Sequence, residues 1–584
     1  MVDGAIKQTV SSGAIELAVV EAGDPQRPTI VLVHGYPDTK ELWEPIVERL
    51  AGRYHVVAYD VRGAGASSTP HGPKAYDYER LTDDLLAVAA ARAPGKQVHL
   101  VGHDWGAIQG WEFATSERLD GSLKSFTAIA GPSLDHLILD ARRLVRQPTP
   151  ANIAQLARRL RRSWYVPVLW SPGGPTVAWR GVLGRGLWKA FLQRAERVPV
   201  GAGYPAPTLV SNGRMGANLY RRNIPRRLLR PRRDAHARVP VQLVVPTRDH
   251  FIATDYYDSA ERHVSVLRRR LIGTTHWAPR TQPELIARWI SEFVDQIEAG
   301  GAAAETAAWV PGAGVEQLAG RLALVTGAGS GIGRSTALVL SGKGARLLLV
   351  DRDADGVHRT AAEIAGAHAF VCDVSDQEAM EQLANRVLSE HGVPDVVINN
   401  AGIGVAGPVV ETELADLSRI VDVNLKGVIY GCRLFGRAMV ERGAGGQIVN
   451  TASMAAFTPT KDLGTYAATK AAVLMFSESL RAELAPSRIG VTAVCPGFIA
   501  TNITRATRFV GASESEQERR SELVTRIYER RNFGPDRVAA EIVEAIGEDR
   551  PVAVVTPEAK AARALSRFAP DLMRRLAQLD TLPT

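Results

Sequence analysis

Short β-branched runs punctuate the first 300 residues: TIVLVHG, YHVVAYD, QVHLVGHD and VQLVVPTRD. Longer stretches of helical periodicity separate them, and this alternation predicts a mainly parallel sheet covered by helices. The pattern begins afresh with LALVTGAG, RLLLVDRD, VVINNAG, QIVNTAS and GVTAVCPG, with no internal repeat relating the two halves. The fold class is therefore α/β, with two units in one chain. Between them, AGGAAAETAAWVPGAGVEQLAG is rich in Ala, Gly and Pro and poor in bulky apolar periodicity, as a linker should be. The expected division is 1–298, a linker 299–317, and 318–584. Residues from 135 to about 238 break the first strand pattern with helical sequence rich in Trp and Arg, and read as an inserted cap over the first sheet.

A chain of 584 residues exceeds one ordinary core. Its 45% hydrophobic and 23% charged content is that of a folded protein rather than a disordered or fibrous one. The three cysteines, Cys372, Cys432 and Cys495, lie at no metal-like spacing, so neither a disulfide framework nor a metal site is expected. A reducing, cytoplasmic setting fits. The N-terminus lacks the basic flank and continuous apolar stretch of a signal peptide, and no later segment approaches the ~20 apolar residues of a membrane span. The net charge of +8 gathers partly in arginine clusters, Arg158, Arg159, Arg161 and Arg162, then Arg226, Arg227, Arg230, Arg232 and Arg233. No nucleic-acid module accompanies them. Solvated helix faces are the first reading, and attraction to an anionic membrane surface or acidic substrate is the second. In the tail, Leu565, Phe568, Leu572, Leu576 and Leu579 form a helical stripe among arginines, read as oligomer packing or an active-site cover before membrane contact.

The candidate chemistry of the first half centres on VHLVGHDWGAIQGWEF, which reads strand, tight turn, helix, with Asp104 at the turn and Gly102 and Gly106 permitting close backbone approach. This is a nucleophile elbow carrying a carboxylate where a hydrolase often has serine. A serine attacking an sp3 carbon would leave an ether, whereas an aspartate leaves an ester that water can cleave. The sequence thus points to alkylating substrates such as epoxides or alkyl halides. Downstream, Asp249 follows a strand and His276 lies in GTTHWAP, in the right order for a base and its orienting acid. Backbone N–H groups of Tyr36 and Trp105 are candidates for the oxyanion hole.

With HGYPD from His34, DVRGAGASS from Asp60 and GANLYRRN from Gly216, residues 28 to 297 resemble the epoxide-hydrolase branch of the α/β-hydrolase fold. The resemblance implies cap tyrosines that protonate the opening ring. Tyr220 matches one directly; Tyr165, in SWYVPVLWSPGG, is offset from the other by roughly one helical turn. Haloalkane dehalogenases share the elbow but hold halide with N–H donors, so Tyr220 favours an epoxide.

In the second half, LALVTGAGSGIGRSTALVL sets Thr326, Gly327, Gly331, Ile332 and Gly333 in a strand-turn-helix context that lets a pyrophosphate meet a helix N-terminus. Asp351 ends the next strand, suited to adenosine ribose hydroxyls and opposed to a 2′-phosphate. That favours NAD, with NADP left open because Arg352 and Arg334 lie close by. Residues 318 to 560 resemble the short-chain dehydrogenase/reductase family, a Rossmann-type doubly wound sheet. The resemblance implies adenine contacts from Asp373 and Val374, a cofactor-side turn at Asn400, a nicotinamide segment from Pro496 and Gly497 to Thr501, and the catalytic set Asn424, Ser453, Tyr466 and Lys470. Tyr466 and Lys470 are one helical turn apart, so the ammonium is expected to draw the phenol's pKa down.

The whole chain is similar to two-domain proteins of mycobacteria and related actinobacteria. Small-molecule or lipid epoxides, and alcohols or ketones, are the implied substrates, with no nucleic acid, with peripheral membrane contact as an open partner, and with homo-oligomers formed through the second unit. Two rivals stand: a dehalogenase fused to a reductase, and a non-catalytic hydrolase fold that docks an active dehydrogenase.

Overall fold

The computed structural model describes residues 5–201, 203–300, 309–499, 507–530 and 533–578. The chain divides into two compact units, residues 1–307 and 308–584. Among the described residues no helix is long and apolar enough to cross a membrane.

The first unit is built on eight strands: β1 (Ile6–Ser12), β2 (Ile15–Ala22), β3 (Thr29–Val33), β4 (His55–Tyr59), β5 (Val98–His103), β6 (Leu123–Ile129), β7 (Val241–Pro246) and β8 (Leu267–Ile272). They lie in the order β1-β2-β4-β3-β5-β6-β7-β8. The β1–β2 and β2–β4 pairs are antiparallel and the rest parallel. Every residue of β3, β4, β5 and β7 is buried, as expected of strands covered by helices on both faces, so their runs read as continuous rather than alternating. Between β6 and β7 the chain leaves the sheet for a set of helices, from Leu134–Arg146 and Pro150–Arg162 through to Leu209–Leu229. These form the cap.

The second unit has β9 (Leu322–Thr326), β10 (Arg346–Asp351), β11 (His368–Val371), β12 (Val396–Asn399), β13 (Val405–Ala406), β14 (Gly446–Thr451), β15 (Ile489–Cys495), β16 (Arg508–Phe509) and β17 (Val552–Val554). Seven form a parallel sheet ordered β11-β10-β9-β12-β14-β15-β17, and β13 pairs with β16. The strand order reverses direction at β9, which opens a crevice beyond the carboxyl ends of β9 and β12.

Residues 309–317, expected in the linker, instead pack on the second unit. Trp309 is fully buried in its core and its N–H donates to the Ala444 carbonyl at 2.8 Å. Gly314 N–H donates to Gly547 O at 3.0 Å. One indole decides the matter, because its burial outweighs the small polar residues around it.

Candidate active sites

In the first unit, Asp104 stands between β5 and the helix Trp105–Ala114 with φ 52° and ψ −118°. A non-glycine residue in this region is strained and persists only where its surroundings impose it. Here the glycines impose it: a Cβ on Gly106 would lie 2.0 Å from Val33 O, and one on Gly35 2.5 Å from the Asp104 side chain. The carboxylate is thereby fixed at the crest of the sheet. Its Oδ1 accepts the Tyr36 N–H at 2.8 Å, while Trp105, as the first residue of the helix, offers one of the unpaired first-turn N–H groups.

The loops after β7 and β8 bring Asp249 and His276 to the same place. Asp249 Oδ1 accepts the N–H groups of Phe251 and Ile252, at 2.7 and 2.9 Å, and Oδ2 accepts from His276 Nδ1 at 2.7 Å. This fixes the tautomer and turns Nε2 toward Asp104, 3.4 Å from its Oδ2. Burial opposes a charged imidazole, but Asp249 and then Asp104 hold the His276 pKa well above its ordinary value. Phe251 and Trp277 pack on the imidazole, with centroids 5.3 and 4.9 Å away.

From the cap come the two tyrosines. Tyr220, on Leu209–Leu229, packs 4.7 Å from Trp105 and 5.2 Å from Tyr36, centroid to centroid. Tyr165 immediately precedes the short helix Val166–Trp170, and its ring lies 6.2 Å from that of Tyr220. Burial, with the Asp104 charge adding to it, pushes both phenols above their ordinary range. Both therefore remain proton donors. The helix Pro150–Arg162 ends at Ser163, and Tyr165 stands at the start of the next helix.

Sequence reasoning passed over Glu196. This cap carboxylate is fully buried; its Oε2 accepts the backbone N–H of His276 at 3.0 Å and its Oε1 pairs with His250 Nδ1 at 2.6 Å. Its own carbonyl accepts from Thr275 Oγ1 at 2.9 Å. One signal was present: Glu196 is the sole acidic residue between Asp140 and Asp234.

In the second unit one cavity of about 830 Å³ runs from Asp351 at the end of β10 to Tyr466 and Lys470. Gly327 and Gly331 hold φ 65° and 54°, and a Cβ on Gly333 would meet Gly327 O at 2.0 Å, so these three positions require glycine, and Gly327, Ser330 and Gly331 line the cavity at the start of the helix. Ile332 also lines it. Thr326 Oγ1 accepts the N–H groups of Asn400 and Ala401, at 2.9 and 3.2 Å, tying β9 to the end of β12. Asp351 Oδ2 accepts Gly329 N–H at 2.8 Å, which couples the acidic residue to the glycine turn. Asp373, Val374, Pro496 and Gly497 line the same cavity, and Thr501 falls outside the described residues. Arg334 is drawn away to Glu363 at 2.5 Å, whereas Arg352 faces the cavity. An acidic strand end, a glycine-rich turn at a helix N-terminus and a long cavity suit a dinucleotide.

At the cavity's other end, Ser453 caps the turn Met454–Ala456, and Tyr466 and Lys470 share the helix Gly464–Leu484. Asn424 sits fully buried in the π-turn Asp422–Lys426, where its amide pairs with both Ile403 N–H and Ile403 C=O, at 2.9 and 3.0 Å. Lys470 Nζ donates to Thr451 O at 2.8 Å, and burial pushes its pKa down to about 8. The Tyr466 phenol moves opposite to the sequence expectation. Burial raises it and a hydrogen bond from Ser453 opposes the rise, while the ammonium stands 5.8 Å from the ring centroid, tied to Thr451. Met573, Leu576 and Ala577 of the tail close part of the cavity wall, and Leu579 lies outside the described residues. The three thiols are free and buried.

A carboxylate elbow under a helical cap, joined to a glycine-turn cavity ending in Ser, Tyr and Lys, defines an α/β hydrolase fused to a short-chain dehydrogenase. Residues 28–162 match the alpha/beta hydrolase fold family and residues 321–509 the short chain dehydrogenase family. Over 582 residues the chain is 38% identical to the "Probable oxidoreductase EphD" of Mycobacterium tuberculosis and Mycobacterium bovis, covering 98% of each chain. It belongs to that two-domain family. The "Putative oxidoreductase SadH" of Mycobacterium tuberculosis is 36% identical over 265 residues, 44% of this chain and 94% of its own. Among solved structures, a short chain dehydrogenase/reductase from Burkholderia phymatum in complex with NAD is 30% identical, covering 46% of this chain and 99% of its own with a TM-score of 0.41.

Proposed function

We propose that the chain is a bifunctional enzyme, hydrolysing a lipophilic epoxide to a vicinal diol in its first unit and interconverting an alcohol and a ketone with NAD in its second. The observation that carries the first activity is the line Asp249, His276, Asp104 facing two protonated tyrosines. Asp104 Oδ1 is engaged by Tyr36 N–H, leaving Oδ2 to attack a ring carbon. As that C–O bond forms the epoxide C–O bond breaks, and the ring oxygen takes a proton from Tyr220 or Tyr165. The ester is neutral at Asp104, so His276 loses one of the two charges that favour its protonation; its proton passes to the phenolate left by ring opening, and the neutral imidazole becomes a base. It then takes a proton from water, the water oxygen attacks the ester carbonyl, and Tyr36 and Trp105 N–H groups hold the oxyanion. The diol leaves with an oxygen that began on Asp104. A halide leaving group would take no proton, so two buried phenols beside Asp104 favour an epoxide.

For the second activity, the Gly327 to Gly333 turn would hold the pyrophosphate and Asp351 the ribose hydroxyls, with Asp373 and Val374 beside the adenine. Bound there, NAD would supply the hydride acceptor or donor. Ser453 orients the substrate oxygen, Tyr466 exchanges its proton, Lys470 supplies positive charge below a pH of about 8, and Asn424 fixes the segment at Ile403 beside them. The family relatives are named as oxidoreductases, which agrees with this unit.

A diol is a substrate such a site can oxidise, so the two reactions are consecutive: epoxide, diol, hydroxyketone. Single turnover in heavy-oxygen water should leave the first diol unlabelled; a labelled first diol would refute the ester. With epoxide and NAD, NADH should form after a lag, and Asp104→Ala should abolish it from epoxide but not from added diol. Unchanged NADH formation in that variant would end the consecutive scheme.

A further inference from the structure

Residues 130–240, which hold the cap, contain twenty-one Lys and Arg against four Asp and Glu, a formal charge of +17 in a chain whose total is +8. The remainder is therefore net negative, and the positive charge is segregated. Part of it is internal bracing. Arg159 is buried against Asp140 and Asp255, Arg227 and Arg232 bridge to Glu112 and Asp135, and Arg162 donates to Asp249 O at 2.8 Å. Others are paired at the surface, Arg222 with Asp77 and Arg226 with Glu79, but Arg158 and Arg161 are exposed and have no acidic partner among the described residues.

These two arginines share the helix Pro150–Arg162 with an exposed apolar stripe. Ile153 and Leu160, two turns apart on one face, are 55% and 74% exposed, and Trp164, in the turn that follows the helix, is 70% exposed. A merely solvated face would be polar there. Apolar side chains flanked by arginines, with a tryptophan at the edge, are what a surface helix presents to the boundary of an anionic bilayer. The stripe also ends beside the chemistry, since Trp164 precedes Tyr165 and their rings pack at 6.3 Å.

We propose that the cap docks on an anionic lipid bilayer through Ile153, Leu160 and Trp164, with Arg158 and Arg161 on the headgroups. A nucleic acid would satisfy the arginines but give Ile153 and Leu160 nothing apolar to bury. The bilayer satisfies both. Delivery of a lipid epoxide beside Tyr165 rests on the function proposed above; the docking does not, and is tested by binding alone.

The full chain is sedimented with vesicles of phosphatidylcholine, with and without about 30 mol % phosphatidylglycerol. Binding is expected only to the anionic vesicles and should weaken as salt rises to about 0.5 M. Each lost arginine should weaken affinity about fivefold, so Arg158→Ala with Arg161→Ala costs about 25-fold. Ile153→Glu with Leu160→Glu should abolish sedimentation, while the melting transition stays that of the parent. Equal binding to both vesicle types, no binding, or variants that bind like the parent would overturn the proposal. So would binding of a single-stranded oligonucleotide by a chain that ignores vesicles.

Discussion

Replacing Glu196 should separate the two halves of the hydrolytic cycle. In the parent, this fully buried carboxylate accepts the His276 backbone N–H at 3.0 Å and pairs with His250 at 2.6 Å, so the cap holds the proposed base through its main chain. Glu196→Gln retains one oxygen acceptor for His276 but faces an amide to His250; hydrogen bonds to charged groups contribute about 1.5–3 kcal/mol, and one of two is forfeited. Glu196→Ala forfeits both and strands a buried N–H, for roughly 3–5 kcal/mol in all. In a unit of this size that lowers its melting temperature by about 10 °C. The catalytic consequence falls on one step. Ester formation needs Asp104 and the tyrosines, which Glu196 does not touch, whereas ester hydrolysis needs His276 in register, and a displacement of order 1 Å costs about a hundredfold. Rapid quenching followed by intact-protein mass measurement should therefore find the Asp104 ester accumulating in Glu196→Ala and, to a lesser degree, in Glu196→Gln. If both steps slow equally, or hydrolysis keeps its parental rate, Glu196 does not position His276.

Asp351→Ala should raise the KM for NAD about 10- to 100-fold and narrow the preference over NADP, since a charged acceptor and a 2′-phosphate repellent disappear together; a parent that already prefers NADP would contradict this. Tyr220→Phe and Tyr165→Phe should each slow ester formation by up to about a hundredfold, and the double variant by more, while leaving the rate of ester hydrolysis unchanged; a pre-steady-state burst of parental rate in the double variant would remove both as proton donors. Lys470 carries its charge below a pH of about 8 and loses it above, so ketone reduction should hold level up to about 8 and decline beyond, and that inflection should be missing from any residual rate of Lys470→Met.

Much of both sites could be read from the sequence because strand ends write their chemistry locally. Asp104 is flanked by the glycines that force its conformation, and the Gly327 to Gly333 turn carries its steric demand within seven residues. Asp249 and His276 were legible by order after strands. What was hidden depends on contacts between distant segments. Glu196 meets His276 only when the cap folds over the sheet, and its isolation among basic residues marks it without saying what it meets. Tyr165 stands past a helix break, and such a break is set by packing rather than by spacing. Trp309 was lost among small residues because composition averages over a window, while burial is decided by a single ring.

The Tyr466 result shows why spacing alone does not fix a pKa. One helical turn brings Lys470 near, but the same burial that raises the phenol also depresses the ammonium, and Thr451 O holds the latter 5.8 Å from the ring. The first unit treats its cationic group the other way. His276 is as deeply buried, yet two carboxylates outweigh the desolvation and keep it charged. The difference lies in the partner: in the cycle proposed above, one of those carboxylates is consumed when Asp104 becomes an ester. On that proposal the charge on His276 depends on the state of Asp104, so the base is switched on by the intermediate it is to cleave. Among the described residues no carboxylate faces Lys470 in that way, and its charge answers to the pH of the medium instead.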